Sequence, residues 1–261
     1  MATPQAIVLR AAGTNCDRET EHALTQAGFQ ARRIHVYRLM EDPGPLADAQ
    51  FLVIPGGFSY GDDVAAGKIL ANQMLHRLAE PLNEFVAVGK LVLGICNGFQ
   101  VMLKSGLLPW AHVEAGLVGR DATLAWNDSG RFEDLWVHLR CDSDKCAFLP
   151  QGEVIALPIA HGEGKFVPAS DDVLARLRDG GQVALRYVDE QGQPGGYPVN
   201  PNGSIDDVAG ICDASGRVMG LMPHPERFVE NTHHPQWTRR RLRRADGRIF
   251  FERAKAFLDS A

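Results

Sequence analysis

The sequence predicts an α/β fold in a single domain, with a mostly parallel central sheet flanked by helices and an antiparallel portion after it. Three observations carry that expectation. Up to Gly94, short apolar runs at 6–9, 51–54 and 91–93 alternate with stretches of helical pattern. Beyond Pro109, apolar segments are separated by turn residues instead. At 261 residues the chain can bury one large core.

Taken in order, Ala6-Ile7-Val8-Leu9 reads as a buried strand, and Cys16 to Ala27 as a helix with the acids Asp17 and Glu19 in its first turn and Gly28 as its stop. Ala31 to Leu39 reads as a second strand in which polar residues alternate with Ile34 and Val36. A connector, Asp42-Pro43-Gly44-Pro45, leads to the strand Phe51-Leu52-Val53-Ile54, which Pro55-Gly56-Gly57 ends. This β-α-β opening calls for parallel pairing. Residues 65–88 have a helical pattern that Pro81 splits, taking the first position of a new helix. The strand before Cys96 follows, then a helix ending near Gly106. Ala122 to Trp126, Phe132 to Arg140 and Glu153 to Ile159 read as strands, and Val208 to Cys212 with Arg217 to Met222 as a hairpin about Asp213-Ala214-Ser215-Gly216. A terminal helix from Gly247 carries Ile249, Phe250, Phe257 and Leu258 on one stripe, the pattern of a core-facing helix. The whole of 1–261 is read as one domain, with its core over about 6–228 and a basic connector and helix over 229–261.

Composition narrows the function classes. A net charge of −5 gives no global reason to expect a nucleic-acid partner, and no apolar run reaches membrane-spanning length. Met1 to Ala6 leads into a strand rather than a signal-peptide core, so a cytoplasmic location is expected. Five cysteines form an odd set without C-x-x-C spacing, which argues against a disulfide framework. Cys141 and Cys146 flank Asp142-Ser143-Asp144-Lys145, which could be a metal loop but reads more simply as a polar turn; no metal site is expected.

The chemistry concentrates in three segments. Gly94-Ile95-Cys96-Asn97-Gly98 places a cysteine at a sharp strand-to-helix turn, near the helix N-terminus whose positive end favours thiolate. The competing reading is a buried core cysteine. A nucleophile needs a base and an orienting carboxylate, and His224-Pro225-Glu226 supplies both directly after the apolar strand at 219–222. By itself His224 is also compatible with an ordinary turn histidine. Pro55-Gly56-Gly57-Phe58-Ser59-Tyr60-Gly61-Asp62 can bring backbone N–H groups to a surface as an oxyanion hole requires, with the N–H of Asn97 as second donor. It lacks the lysine and Ser/Thr of a phosphate loop, and a simple turn is the other alternative.

Together these segments resemble the class I (triad) glutamine amidotransferases. Gly13-Thr14-Asn15-Cys16-Asp17, Gly56-Gly57-Phe58-Ser59-Tyr60-Gly61-Asp62, Gly94 to Gln100, Pro158-Ile159-Ala160-His161-Gly162-Glu163-Gly164 and Met222 to Arg227 resemble, more narrowly, the glutaminase subunits of phosphoribosylformylglycinamidine synthase. The likeness spans 6 to about 228 and implies a flavodoxin-like fold. It implies that Cys96 attacks the side-chain amide of glutamine, that His224 relays the proton to departing ammonia, and that Glu226 holds the imidazole. Gly57 and Asn97 would hold the oxyanion, while Gly56, Phe58, Gln100, His161, Gly162 and Glu163 are candidates for the glutamine pocket. For His161-Gly162-Glu163, proximity to a partner surface is the other possibility. The resemblance implies no cofactor in this chain; ATP and magnesium belong to a separate synthase subunit, and a small subunit bridges the two. Glutaminase activity in isolation should then be weak.

After Phe228 the chain departs from the shorter family members. Arg239, Arg240, Arg241, Arg243 and Arg244 put five arginines in six positions, read as a solvated connector or as a docking surface for the synthase or its phosphorylated substrate, ahead of nucleic acid. His233-His234 lacks further metal ligands. Two other functions stay open at this stage: a stand-alone cysteine amidase or γ-glutamyl hydrolase of the same fold, and a non-catalytic binding module.

Overall fold

In the computed structural model, which describes residues 3–114, 121–239 and 242–260, the chain runs through β1 (Gln5–Arg10), α1 (Asp17–Gln26), β2 (Gln30–His35), α2 (Val36–Glu41), α3 (Gly44–Asp48), β3 (Phe51–Ile54), α4 (Lys68–Arg77), α5 (Ala79–Ala87), β4 (Leu91–Ile95) and α6 (Asn97–Ser105). It continues with β5 (Ala122–Ala125), β6 (Glu133–Cys141), β7 (Val154–His161), β8 (Lys165–Pro168), α7 (Asp171–Asp179), β9 (Val183–Val188), β10 (Val208–Cys212), β11 (Val218–Leu221) and α8 (Arg248–Ser260).

One sheet has the strand order β2-β1-β3-β4-β11-β10-β9-β6-β7, and β5 pairs with β8 apart from it. From β2 to β11 the neighbours are parallel; from β11 to β7 they are antiparallel. Every residue of β3 and β4 is buried, as expected of central parallel strands covered on both faces. The terminal helix joins the same core through Ile249, Phe250, Phe251 and Ala254.

Several expectations need correction. The strand read over 31–39 stops at His35, whose Nδ1 accepts the N–H of Tyr37 at 3.3 Å and caps α2. Val36 and Leu39 are buried three residues apart on that helix, so the apparent alternation of Ile34 and Val36 straddles two periodicities. The connector at 42–45 leads into a short helix, with Pro45 in the first turn of α3. The break between α4 and α5 falls at Leu78, and Pro81 sits inside the first turn of α5, where a backbone N–H has no intrahelical acceptor to lose. β8, α7 and β9 have no counterpart in the sequence reading. For α7 the signal was available, since Ser170 accepts the N–H of Val173 at 3.3 Å ahead of Asp171 and Asp172.

Candidate active site

Three adjacent parallel strands deliver three loops to one end of the sheet. Ile54 pairs with Gly94, and Ile95 with Leu221. The glycine loop after β3, the cysteine after β4 and the histidine after β11 therefore emerge side by side, at the carboxyl ends where α/β sheets gather reactive groups.

Cys96 joins β4 to α6 with φ 50° and ψ −106°. For a residue other than glycine this conformation costs roughly 1–3 kcal/mol, and the packing around it holds it in place. Its N–H is fixed by the carbonyl of Leu221 at 2.8 Å, and its sulfur faces the carbonyl of Ala160 at 3.8 Å. The turn needs glycine at 98, because a Cβ there would run into the carbonyl of Ile54.

His224 donates its backbone N–H to Pro158 at 2.9 Å, and its Nδ1 meets Glu226 Oε1 at 2.6 Å with both side chains buried. Nε2 has no hydrogen-bond partner among the described residues. Burial works against the imidazolium, but the Glu226 carboxylate and then the Cys96 sulfur lift His224 well above the usual histidine value. The charged form of the imidazole is thereby favoured in spite of its burial.

The glycine loop is locked from two sides. Phe58 donates to Gly13 at 3.1 Å and Cys16 to Gly56 at 3.4 Å, and Gly57 takes φ 134°, where a Cβ would meet Asn15 N at 2.7 Å. On the other side Asn97 Oδ1 accepts the N–H of Ser59 at 3.2 Å, while its Nδ2 donates to Asp62 at 3.1 Å and to Gln100 at 2.9 Å. As the first residue of α6, Asn97 has no intrahelical acceptor for its own N–H.

A cavity of about 540 Å³ opens over these loops, lined by Gly57, Phe58, Cys96, Gln100, His161, Gly162, Glu163 and His224 among the expected residues. Gly56, Asn97 and Glu226 do not line it. Gly56 lies against the His224 imidazole, where a Cβ would meet His224 Cε1 at 2.8 Å and Cys16 Sγ at 3.2 Å. Glu226 stands behind the imidazole, and the Asn97 side chain is spent on the loop network. Gln100 Nε2 donates to the Glu163 carbonyl at 2.7 Å, joining α6 to the loop after β7.

Other residues of the site were not singled out as site residues from the sequence. Cys16 precedes α1, and its sulfur lies 3.2 Å from Asn15 Oδ1 and 3.1 Å from the Arg227 guanidinium. Burial raises this thiol above its ordinary value, opposed first by the neighbouring His224 imidazole. Ligand atoms of Cys16, His224 and Glu226 lie within 4.8 Å of one another. Any metal held there would occupy His224 and Glu226, which are already joined to each other. Trp126, Phe132 and Asp134 complete the mouth, with Phe58 and Phe132 stacked 6.4 Å apart. Within the arginine run, Arg244 pairs with Glu153 and Asp246, and Arg243 lines an open groove beside the N-terminus of α8; Arg240 and Arg241 lie outside the described residues.

Residues 3–258 match the CobB/CobQ-like glutamine amidotransferase domain. The chain is similar to phosphoribosylformylglycinamidine synthase subunit PurQ of Dehalococcoides mccartyi, with 41% identity covering 97% of each chain. It is also similar to that of Archaeoglobus fulgidus, with 43% identity covering 84% of this chain and 86% of the other. Its fold is similar to a chain in the structure of PurLQS from Thermotoga maritima, with a TM-score of 0.74 and 33% identity over 98% of this chain and 100% of that one. The cysteine turn, the buried His–Glu pair and these likenesses lead to one conclusion: the chain belongs to the CobB/CobQ-like glutamine amidotransferase family and, within it, to the PurQ subunits of phosphoribosylformylglycinamidine synthase.

Proposed function

We propose that the chain is the ammonia-supplying glutaminase subunit of a phosphoribosylformylglycinamidine synthase acting in purine biosynthesis. The observation that carries this reading is the buried Nδ1–Oε1 contact of 2.6 Å between His224 and Glu226, in a site whose cavity also holds Cys96. In this reading the Cys96 sulfur attacks the side-chain amide carbon of glutamine, and the backbone N–H groups of Gly57 and Asn97 take up the oxyanion. The carbon–nitrogen bond breaks as His224 passes its proton to nitrogen, and Glu226 keeps the imidazole aligned. Water then cleaves the γ-glutamyl thioester to glutamate and free enzyme.

Ammonia goes to a synthase subunit, where ATP and magnesium activate the amide oxygen of formylglycinamide ribonucleotide; a small subunit bridges the two. The likeness to a chain of PurLQS supports these partners. No described helix is long and apolar enough to cross a membrane, and the free cysteines fit the reducing cytoplasm we assign to it. Gly56, Phe58, Gln100, His161, Gly162 and Glu163 are assigned to the glutamine pocket or its support.

The experiment is glutamate release from glutamine by wild type and Cys96→Ala, with and without the synthase partners, formylglycinamide ribonucleotide, ATP and magnesium. Activity that needs Cys96 and rises sharply in the full mixture is the expected result. Cys96-dependent turnover indifferent to partners would make the chain a stand-alone amidase, and no turnover anywhere would make it a binding module.

A further inference from the structure

We propose that His161 accepts an N–H of the substrate carboxamide at its Nε2, and that this contact separates glutamine from γ-glutamyl esters and from the glutamate product. The inference rests on the glutaminase reading and deepens it.

The argument begins at Asn127. Its Nδ2 donates to two carbonyls, His161 O at 2.8 Å and Arg131 O at 2.9 Å, and its Oδ1 accepts the backbone N–H of Gly164 at 3.1 Å. Three partners of fixed polarity therefore define which end of the amide is oxygen. That oxygen also lies 3.2 Å from His161 Nδ1, and because it can only accept, Nδ1 carries the hydrogen. Nε2 is left as a bare lone pair.

His161 stays in this neutral form, since burial, with the charge of His224 adding to it, pushes its pKa down to about 3. His161 lines the catalytic cavity, and its Nε2 is buried with no hydrogen-bond partner among the described residues. A buried acceptor without a donor is a standing cost that a ligand relieves by bringing an N–H. Glutamine carries N–H at its carboxamide and at its α-ammonium. The choice falls on the carboxamide because His161 directly follows Ala160, whose carbonyl faces the Cys96 sulfur.

An amide satisfies Nε2 in the ground state and through expulsion of ammonia. Either oxygen of the glutamate carboxylate would set lone pair against lone pair, which favours release of product. An ester has no hydrogen to give.

The test uses the complex assembled with its synthase partners, comparing wild type, His161→Phe and His161→Gln on glutamine and on glutamate γ-methyl ester. Alkylation of Cys96 by a diazoketone analogue of glutamine, which also lacks the amide N–H, reports whether the site is intact. In His161→Phe, kcat/KM for glutamine should fall about 10- to 100-fold, while ester hydrolysis and alkylation stay within about 3-fold. His161→Gln, which keeps an acceptor oxygen, should recover part of the loss. An equal fall on amide, ester and diazoketone would overturn the assignment in favour of a wall or an α-ammonium contact, and so would an unchanged kcat/KM for glutamine. A wild-type complex inert toward glutamine would instead sink the glutaminase reading, and this inference with it.

Discussion

Asn97 Oδ1 accepts the backbone N–H of Ser59 at 3.2 Å, so the first residue of the helix behind Cys96 also anchors the glycine loop that follows β3. The two backbone donors we propose for the oxyanion, Gly57 and Asn97, thus belong to one hydrogen-bonded unit that includes Asp62 and Gln100. Asn97→Ala keeps the backbone donor but frees the loop. We expect kcat for glutamine to drop about 10- to 100-fold with a stability loss of about 1–3 kcal/mol. Steady-state kinetics and urea unfolding check this; unchanged kcat with lowered stability would mean that the network only braces the fold.

Glu226→Gln keeps the shape of the carboxylate and removes its charge. Since Glu226 is the main group raising His224 against the effect of burial, the variant should move the alkaline limb of the kcat/KM profile to lower pH. kcat should fall roughly 10²- to 10⁴-fold. A pH–rate profile with its alkaline limb in place would show that the limb reports another group.

His161 makes the fold acid-sensitive. Its folded pKa of about 3 lies below the usual 6.5, so the unfolded chain binds a proton there that the native state refuses. Stability from this source is complete above about pH 6.5 and is lost as pH falls from there toward 3, at about 1.4 kcal/mol per pH unit. Between pH 7 and pH 5, wild type should therefore lose about 2 kcal/mol more unfolding free energy than His161→Phe. Parallel losses in the two proteins would contradict the assignment of a neutral imidazole.

Iodoacetamide should reach Cys96 first. Cys96 is 6% exposed and Cys16 0%, and burial raises the Cys16 thiol while Cys141 is pushed up to about 12. Mass spectrometry at short times should find one modified residue, and Cys96→Ala should remove that adduct. Modification of Cys16 at an equal rate would refute the ordering.

Changing Arg239, Arg240, Arg241 and Arg243 together to Ser, and leaving the paired Arg244, should weaken association with the synthase partners and its salt dependence without altering glutaminase activity in isolation. Sedimentation of the mixture at two ionic strengths decides it. Complex formation that does not change would leave the run as a solvated connector.

Much of this site was legible in the sequence because its main loops each follow a strand that an apolar run announces. Phe51 to Ile54, Leu91 to Ile95 and Val218 to Leu221 are buried on both faces, and their ends carry Gly57, Cys96 and His224. What sequence did not reveal depends on contacts between distant positions. Cys16 touches Arg227 from 211 residues away, and Asn127 holds His161 from 34, neither with any local signature. α2 was misread for a local reason: a six-residue helix offers too little periodicity to outweigh the β-like pair Ile34 and Val36.

β7 ends the large sheet, and its outward carbonyls do not wait for another strand. Pro158 receives the N–H of His224, and Ala160 faces the Cys96 sulfur. These are alternate residues on one side of the ribbon, and they are set by the β6–β7 register in which Trp136 faces Pro158 and Asp134 faces Ala160. A slip of one residue would turn that side over and present Ile159 and His161 in their place. The hairpin thus acts as a ruler for the reaction centre: lengthening or shortening the 142–153 connection is tolerable only where it preserves the count, and the same contacts that align the base close an edge on which a second chain could otherwise polymerise.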